Sequence, residues 1–85
     1  MSITIITKED CVFCEKAKTL LRSRDILFEE IHVGKDVTRD WILKKYPHIK
    51  SVPIIFDGAE FIGGYQDLME KLSTSPEFGK TFLLG

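Results

Sequence analysis

The sequence contains two cysteines, and both lie in one tetrapeptide, Cys11-Val12-Phe13-Cys14. A disulfide between them closes a very short loop, which constrains the unfolded chain little, so the pair is not expected to serve stability. Two thiols at this spacing can do redox chemistry instead, because one thiolate attacks a disulfide and the second thiol attacks the mixed disulfide that results. Zinc ligands and inert structural thiols are the two competing roles, and the two histidines of the chain lack the paired spacing of zinc ligands.

The elements around the tetrapeptide determine which thiol reacts. The β-branched run over residues 3–7 has apolar side chains on both faces and predicts a central strand. Apolar residues then recur at helical spacing over residues 12–24, with Asp10 or Cys11 near the N-cap. A helix N-terminus carries partial positive charge and unpaired N–H groups, which stabilise a thiolate. The sequence therefore predicts that Cys11 is the nucleophile and that Cys14, one turn later, is the resolving thiol.

The rest of the chain continues an α/β pattern. Strands are predicted over residues 27–33, 53–56 and 59–62, and helices over residues 36–46 and from Tyr65 onward. The consecutive Glu29 and Glu30 indicate a sheet edge with solvated carboxylates. Trp41 and Tyr46 recur at helical spacing and are assigned to the core. The tail from Pro76 is expected to form a short turn or helix that packs on the body of the protein.

The order βαβαββα predicts an α/β fold with a four-stranded mixed sheet flanked by helices on both faces. A chain of 85 residues without linkers or repeats is expected to form one domain over residues 1–85. The composition, 44% hydrophobic and 29% charged, excludes the disordered and collagen classes.

Charge and hydropathy exclude several classes of partner. The net charge is −1, so no basic field supports binding of nucleic acid. No apolar stretch approaches the roughly 20 residues that span a bilayer. Residues 1–7 lack the basic flank and cleavage site of a signal peptide. We therefore expect a monomeric cytoplasmic protein without nucleic-acid or membrane partners, in a compartment where thiols stay reduced.

Four separated motifs resemble the glutaredoxin family of the thioredoxin-like superfamily. They are Thr7-Lys8, Cys11-Val12-Phe13-Cys14, Ser51-Val52-Pro53 and Gly63-Gly64-Tyr65-Gln66-Asp67. The resemblance covers the chain up to about Ser73. It implies a thioredoxin-like fold and a glutathione-dependent thiol–disulfide oxidoreductase that needs no metal. Glutathione would be the co-substrate, and disulfide-containing proteins such as ribonucleotide reductase would be the substrates.

The resemblance also implies a binding site for glutathione. Ser51-Val52-Pro53 looks like the family's cis-proline loop, in which Val52 pairs with the cysteinyl backbone of glutathione. The glycine pair allows close approach of a ligand, and the helix that follows offers N–H groups to the γ-glutamyl carboxylate. Basic residues before the cysteines and before the proline loop would attract the glycyl carboxylate. The implied glutathione-binding residues are Lys8, Phe13, Lys50, Ser51, Val52, Pro53, Gly64, Tyr65 and Gln66.

Two departures from the family pattern bear on function. Many dithiol members have Pro-Tyr between the cysteines, where this chain has Val12-Phe13. Loss of the proline alters the redox potential in a direction that the sequence does not give. Gln66 stands where members commonly carry an aspartate that meets the γ-glutamyl ammonium, and Asp67 is left as a helix-start charge.

Two alternative functions stay open. Some glutaredoxins that lack the proline hold an iron–sulfur cluster between two subunits, with glutathione as co-ligand. The second alternative is a thioredoxin-like protein that a flavoenzyme reduces. Thioredoxins usually carry tryptophan before the first cysteine and Gly-Pro after it, whereas this chain has Asp10 and Val12-Phe13.

Overall fold

The computed structural model describes residues 2–48 and 51–74 of the chain. Its elements are β1 (Ile3–Thr7), α1 (Val12–Ser23), β2 (Phe28–His32), α2 (Arg39–Lys45), β3 (Ile54–Asp57), β4 (Glu60–Gly63) and α3 (Tyr65–Thr74). This is the predicted order βαβαββα. The tail from Pro76, for which a turn or helix was predicted, lies outside the described residues. None of the described helices has the length and apolar character that crossing a membrane requires.

The four strands form one mixed sheet in the order β2-β1-β3-β4. β1 pairs parallel with β2 and antiparallel with β3, and β3 returns through a tight turn as β4. The parallel pair requires a crossover connection, which α1 supplies. The predictions of β1 as a central strand and β2 as an edge strand are both confirmed.

Helices cover both faces of the sheet. On one face Ile3 and Ile5 of β1 pack with the buried side chains of α1 and α3, such as Leu21 and Leu68. On the other face Ile6 of β1 packs with α2. Full burial of such a side chain contributes about 1.5–3 kcal/mol relative to leaving it exposed. The carboxyl end of β1, which leads to the cysteines, is therefore fixed from both sides.

Most element boundaries lie within one residue of the prediction, but α2 is clearly shorter. The prediction began this helix at Asp36, whereas α2 begins at Arg39 with Thr38 as its N-cap. The Thr38 hydroxyl accepts a hydrogen bond from the Trp41 N–H at 3.1 Å. The Asp36 carboxylate instead accepts one from the His32 N–H at 2.7 Å. Asp36 therefore closes the turn after β2, because a short acidic side chain satisfies turn N–H groups as well as it caps a helix.

The two aromatic residues assigned to the core lie in different environments. The Tyr46 ring is half-buried and packs on Phe56, with ring centroids 5.1 Å apart. Trp41 is 42% exposed, and the Lys45 ammonium lies 5.0 Å from its ring centroid. The assignment of Trp41 to the core is wrong, because Ile42 is the side chain of α2 that turns into the core.

Candidate active site

Cys11 is the N-cap residue of α1. Its sulfur accepts a hydrogen bond from the Cys14 N–H, with an N···S distance of 3.2 Å. Asp10 precedes it with φ +57°, a left-handed conformation that aspartate tolerates and that turns the chain from β1 into α1. The Cys11 sulfur therefore lies at the positive end of the helix dipole, where a thiolate is stabilised.

Cys11 and Cys14 form a disulfide in this structure, with their Cα atoms 5.2 Å apart. The two sulfurs differ in access, because Cys14 is fully buried and Cys11 is half-buried. An incoming thiol therefore meets Cys11 first. This asymmetry supports the assignment of Cys11 as nucleophile and Cys14 as resolving thiol.

The loop before β3 lies against the cysteines. Its Val52–Pro53 peptide bond is cis, and the Val52 carbonyl oxygen is 3.7 Å from the Cys11 sulfur. Pro53 is buried, whereas Ser51 is exposed. A peptide bound beside the Cys11 sulfur would therefore meet the backbone of Val52.

An open groove of about 340 Å³ extends from this loop to the start of α3. It is lined by Phe13, Ser51, Val52, Pro53, Gly64, Tyr65, Gln66 and Asp67. Seven of the nine residues that the family resemblance assigned to glutathione binding thus lie together. Of the other two, Lys8 is exposed and does not line the groove, and Lys50 lies outside the described residues.

Phe13 and Tyr65 join α1 to α3 at this groove. Their ring centroids are 5.7 Å apart, and Phe13 is 52% exposed. The Lys16 ammonium lies 5.1 Å from the Phe13 ring centroid, within cation–π distance. Sequence reasoning missed Lys16, although its position three residues after Phe13 on a helix was a usable signal. The groove therefore has an aromatic rim with a positive charge over it.

The glycine pair and Asp67 form the start of α3 together. The Asp67 carboxylate accepts a hydrogen bond from the Gly64 N–H at 3.0 Å. This contact is the back-reaching half of a capping box and confirms Asp67 as a helix-start charge. Gly63 has φ +125°, and a Cβ at this position would overlap the Asp67 side chain. Glycine is therefore favoured at position 63 by both its backbone conformation and its neighbour.

A partly buried charge cluster ties α1 to β1 and β2. The Lys18 Nζ lies 3.0 Å from Glu30 Oε2 and 3.1 Å from Glu15 Oε2. The Thr7 hydroxyl also donates a hydrogen bond to Glu30. The prediction of solvated carboxylates is right for the exposed Glu29 and wrong for Glu30. Adjacent strand residues point to opposite faces, and Glu30 is the one that points toward α1.

The cluster shifts the pKa values of its own members. Burial disfavours the charged form of Lys18, but hydrogen bonds to Glu30 and Glu15 and their negative charges outweigh burial and raise the Lys18 pKa. Burial opposes the charge of Glu30 too, but hydrogen bonds from Thr7 and Lys18 and the charges of Lys18 and His32 lower the Glu30 pKa. Both groups are therefore ionised at neutral pH.

The described residues contain no ready-made metal centre. Within residues 2–48 and 51–74, no three His, Cys, Asp or Glu side chains are grouped so that they could hold a metal ion. The Nδ1 atom of His32 is buried and has no hydrogen-bond partner among these residues. His48 is exposed.

Known proteins resemble this chain in sequence. A family model described as Glutaredoxin matches residues 3–62. Hybrid peroxiredoxin hyPrx5 of Haemophilus influenzae is 43% identical over 67 residues, which cover 79% of this chain and 27% of that protein. Glutaredoxin 3 of Escherichia coli K12 is 38% identical over 68 residues, which cover 79% of this chain and 81% of that protein. The chain thus spans about a quarter of the hybrid protein and most of the smaller relative.

Solved structures share the fold. Glutaredoxin 1 from Francisella tularensis, complexed with cacodylate, superposes with a TM-score of 0.71 at 25% identity, covering 86% of this chain and 93% of that chain. A buckwheat glutaredoxin–glutathione complex superposes with a TM-score of 0.70 at 24% identity, and the match covers 85% of this chain and 68% of that chain. The four-stranded mixed sheet with its three helices is therefore thioredoxin-like.

Proposed function

The chain belongs to the glutaredoxin family and is a thiol–disulfide oxidoreductase, and on this premise we propose that glutathione is its reductant. The observation that carries the proposal is the groove that extends from the Val52 carbonyl, beside the Cys11 sulfur, to the first turn of α3. A tripeptide with its thiol at Cys11 can extend along this groove. The buckwheat relative that was solved with glutathione supports the same ligand.

Three features of the groove suit the parts of glutathione. The cysteinyl backbone can pair with Val52, which lies next to the reactive sulfur. The γ-glutamyl carboxylate can accept hydrogen bonds from the first-turn N–H groups of α3 at Tyr65 and Gln66, which the helix itself leaves unused. The Lys16 ammonium at the Phe13 ring offers a positive charge to the remaining carboxylate.

The chemistry then proceeds by two thiol–disulfide exchanges. The Cys11 thiolate attacks the glutathione sulfur of a glutathionylated protein, and the protein thiolate leaves. A second glutathione attacks the Cys11–glutathione disulfide, which releases oxidised glutathione and regenerates the Cys11 thiolate. In the other branch the Cys14 thiolate attacks Cys11, expels glutathione and forms the disulfide seen in this structure. Two molecules of glutathione then reduce that disulfide to the dithiol.

The name of one relative suggests peroxiredoxins as protein substrates to test. A stretch of the Haemophilus hybrid peroxiredoxin is 43% identical to this chain. We therefore include a peroxiredoxin disulfide, with ribonucleotide reductase as the comparison substrate, among the proteins to be tested as electron acceptors.

Trapping the glutathione adduct tests the mechanism. The native protein, Cys14→Ser and Cys11→Ser are each incubated with oxidised glutathione, and intact masses are recorded. We expect one glutathione adduct on Cys14→Ser, chiefly an internal disulfide in the native chain, and no adduct on Cys11→Ser. An adduct that survives the Cys11→Ser substitution would show that Cys11 is not the nucleophile.

The electron donor is tested separately. NADPH consumption is followed with glutathione plus glutathione reductase, and in parallel with thioredoxin reductase alone. Turnover only in the first assay supports glutathione, whereas turnover only in the second identifies a thioredoxin-like protein. A brown, dimeric, glutathione-dependent species after anaerobic purification would instead identify a cluster-binding role.

A further inference from the structure

We propose that Glu30 is a positioning residue whose own negative charge, fixed in a cluster with Lys18 and Glu15, makes the electrostatic field at the Cys11–Cys14 pair more negative. The proposal rests on Cys11 as the nucleophile of the proposed function. Its basis is the charge cluster of Glu15, Lys18 and Glu30, which none of the chemical steps above uses.

Glu30 is bound from both segments that flank the cysteines. The Thr7 hydroxyl, which donates to Glu30, belongs to the last residue of β1, four positions before Cys11. Lys18, which lies 3.0 Å from Glu30, follows Cys14 by one turn of α1, a rise of about 6 Å along the helix axis. The carboxylate therefore joins the strand that leads to the reactive pair and the helix that leads away from it.

The cluster carries a net negative charge. Two carboxylates, Glu15 and Glu30, share the single ammonium of Lys18, so the three groups sum to one negative charge. The lowered pKa of Glu30 and the raised pKa of Lys18 keep these two groups ionised at neutral pH. The contacts with Thr7 and Lys18 place this net negative charge between the end of β1 and the first turns of α1. There it opposes thiolate formation at the cysteines, against the favourable helix dipole.

The field changes the balance between the dithiol and the disulfide in a defined direction, because only the reduced form carries the thiolate charge. A thiolate that is less stable makes the dithiol less favoured relative to the disulfide, which makes the protein a stronger reductant. Glu30 therefore counteracts the stabilisation of the thiolate by the helix N-terminus and lowers the reduction potential of the cysteine pair. Removing its charge should lower the pKa of the Cys11 thiol and raise the reduction potential.

Other charged groups on the elements around the cysteines stay constant in the test. They lie in the loop after β1, on α1, on β2 and at the start of α3, and are Lys8, Glu9, Asp10, Lys16, His32 and Asp67. Because none of them is substituted, a difference between variants reports on the cluster alone.

The experiment uses three single variants of the full chain. Glu30→Gln removes the negative charge but keeps the shape of the side chain, and Lys18→Gln removes the positive charge. Glu29→Gln is the matched control, since Glu29 is the adjacent, exposed glutamate of the same strand. Each reduced protein is alkylated with iodoacetamide between pH 4 and pH 9, and the rate at Cys11 is followed by peptide mass.

We expect the alkylation midpoint to shift in opposite directions in the two cluster variants. Glu30→Gln should move it about 0.5 unit or more to lower pH, and Lys18→Gln should move it to higher pH, because removing a negative charge favours the thiolate and removing a positive charge disfavours it. Glu29→Gln should leave it unchanged. Equilibration with dithiothreitol should then show an equilibrium constant about threefold more favourable to the dithiol in Glu30→Gln.

A purely structural cluster gives a different result. It predicts that Glu30→Gln and Lys18→Gln both lower the thermal midpoint and leave the alkylation midpoint where it is, or shift it in the same direction. Either outcome overturns the proposal, as does a shift in Glu29→Gln equal to that in Glu30→Gln. These measurements contain no glutathione, so a failure of glutathione dependence leaves them interpretable. Alkylation at Cys14 before Cys11 would instead refute the proposed nucleophile.

Discussion

The two faces of the sheet differ in how completely they are packed and in what they hold. On the face of α1 and α3, fully buried side chains such as Ile5, Leu21 and Leu68 form one continuous cluster. On the face of α2, Ile6 and Ile42 are surrounded mainly by partly buried side chains. The cysteines belong to the first face, because α1 carries them.

The face of α2, which is less completely packed, presents exposed apolar side chains and does not carry the cysteine pair. Its rings Tyr46, Phe56 and Phe61 follow one another at centroid distances of 5.1 and 5.7 Å, and Phe61 is 59% exposed. Next to them is a hollow of about 340 Å³. The groove at the cysteines is as large, so volume does not separate the two regions. The two regions differ because the groove begins beside the reactive Cys11 sulfur and α1 rests on the continuous buried cluster.

The largest expected difference between the faces is in activity. Cys11→Ser should lower the rate of disulfide reduction more than about a thousandfold, or about 4 kcal/mol in activation free energy, because a serine hydroxyl is not ionised at neutral pH. Phe61→Ser, on the opposite face, should leave the rate within about twofold of the native rate. Steady-state reduction of a glutathionylated peptide measures both. Equal losses would mean that the two faces are not functionally separate.

The second largest expected difference between the faces is in the stability lost when a core side chain is truncated. Leu21→Ala removes a fully buried side chain of the continuous cluster and should lower the free energy of unfolding by about 3–5 kcal/mol. Ile42→Ala should cost less, about 2–3 kcal/mol, since its partly buried neighbours can close around the gap. Urea unfolding at neutral pH compares the two. A greater loss for Ile42→Ala would reverse the ranking of the faces.

Two glycines with positive φ allow a crowded position and an open position of the backbone to be compared. Gly63→Ala should lower stability by about 2–3 kcal/mol, because it combines left-handed strain with overlap on the Asp67 carboxylate. Gly34, at φ +100°, has open space where a Cβ would lie, so Gly34→Ala should cost about 1 kcal/mol from strain alone. Thermal unfolding measures both, and Gly63→Ala should also weaken glutathione binding. Equal costs would show that Asp67 moves aside freely.

The smallest expected effect concerns the dependence of stability on pH. The pKa of Glu30 lies below its usual 4.5 in the folded protein, so its stabilisation is present above that value and is lost as pH falls through the folded-state pKa. At pH 7, Glu30→Gln should cost about 1 kcal/mol, and this difference should shrink toward zero in acid. Glu29→Gln should show neither effect. Urea midpoints from pH 3 to pH 7 test this, and a difference that grows in acid would contradict it.

The sequence predicted the features that depend on neighbours along the chain. The pattern of Ile3, Ile5 and Ile6 predicted a strand buried on both faces, and the position of Cys11 predicted a helix cap. The motif around Gly64 predicted the start of α3. In each case the physical cause lies within a few residues, so spacing and residue type are sufficient.

Features that depend on packing between distant segments were missed or wrong. Glu30 meets Lys18 only because β2 pairs in register with β1 and α1 crosses over both. No local pattern distinguishes it from Glu29. The exposure of Trp41 has the same cause, because it depends on where α2 sits over the sheet. The overlap that a Cβ at position 63 would make with Asp67 depends on the turn geometry itself, which no local pattern gives.

The burial of Cys14 has a consequence for oxidative damage. A peroxide that reaches this site meets the outer sulfur, Cys11, and converts it to a sulfenic acid. The thiol of Cys14 is already next to it, so the two can condense to the disulfide and release water, which leaves no sulfenic acid for a second, irreversible oxidation. The inner sulfur, which solvent does not reach, thus works as a built-in repair group for the outer one.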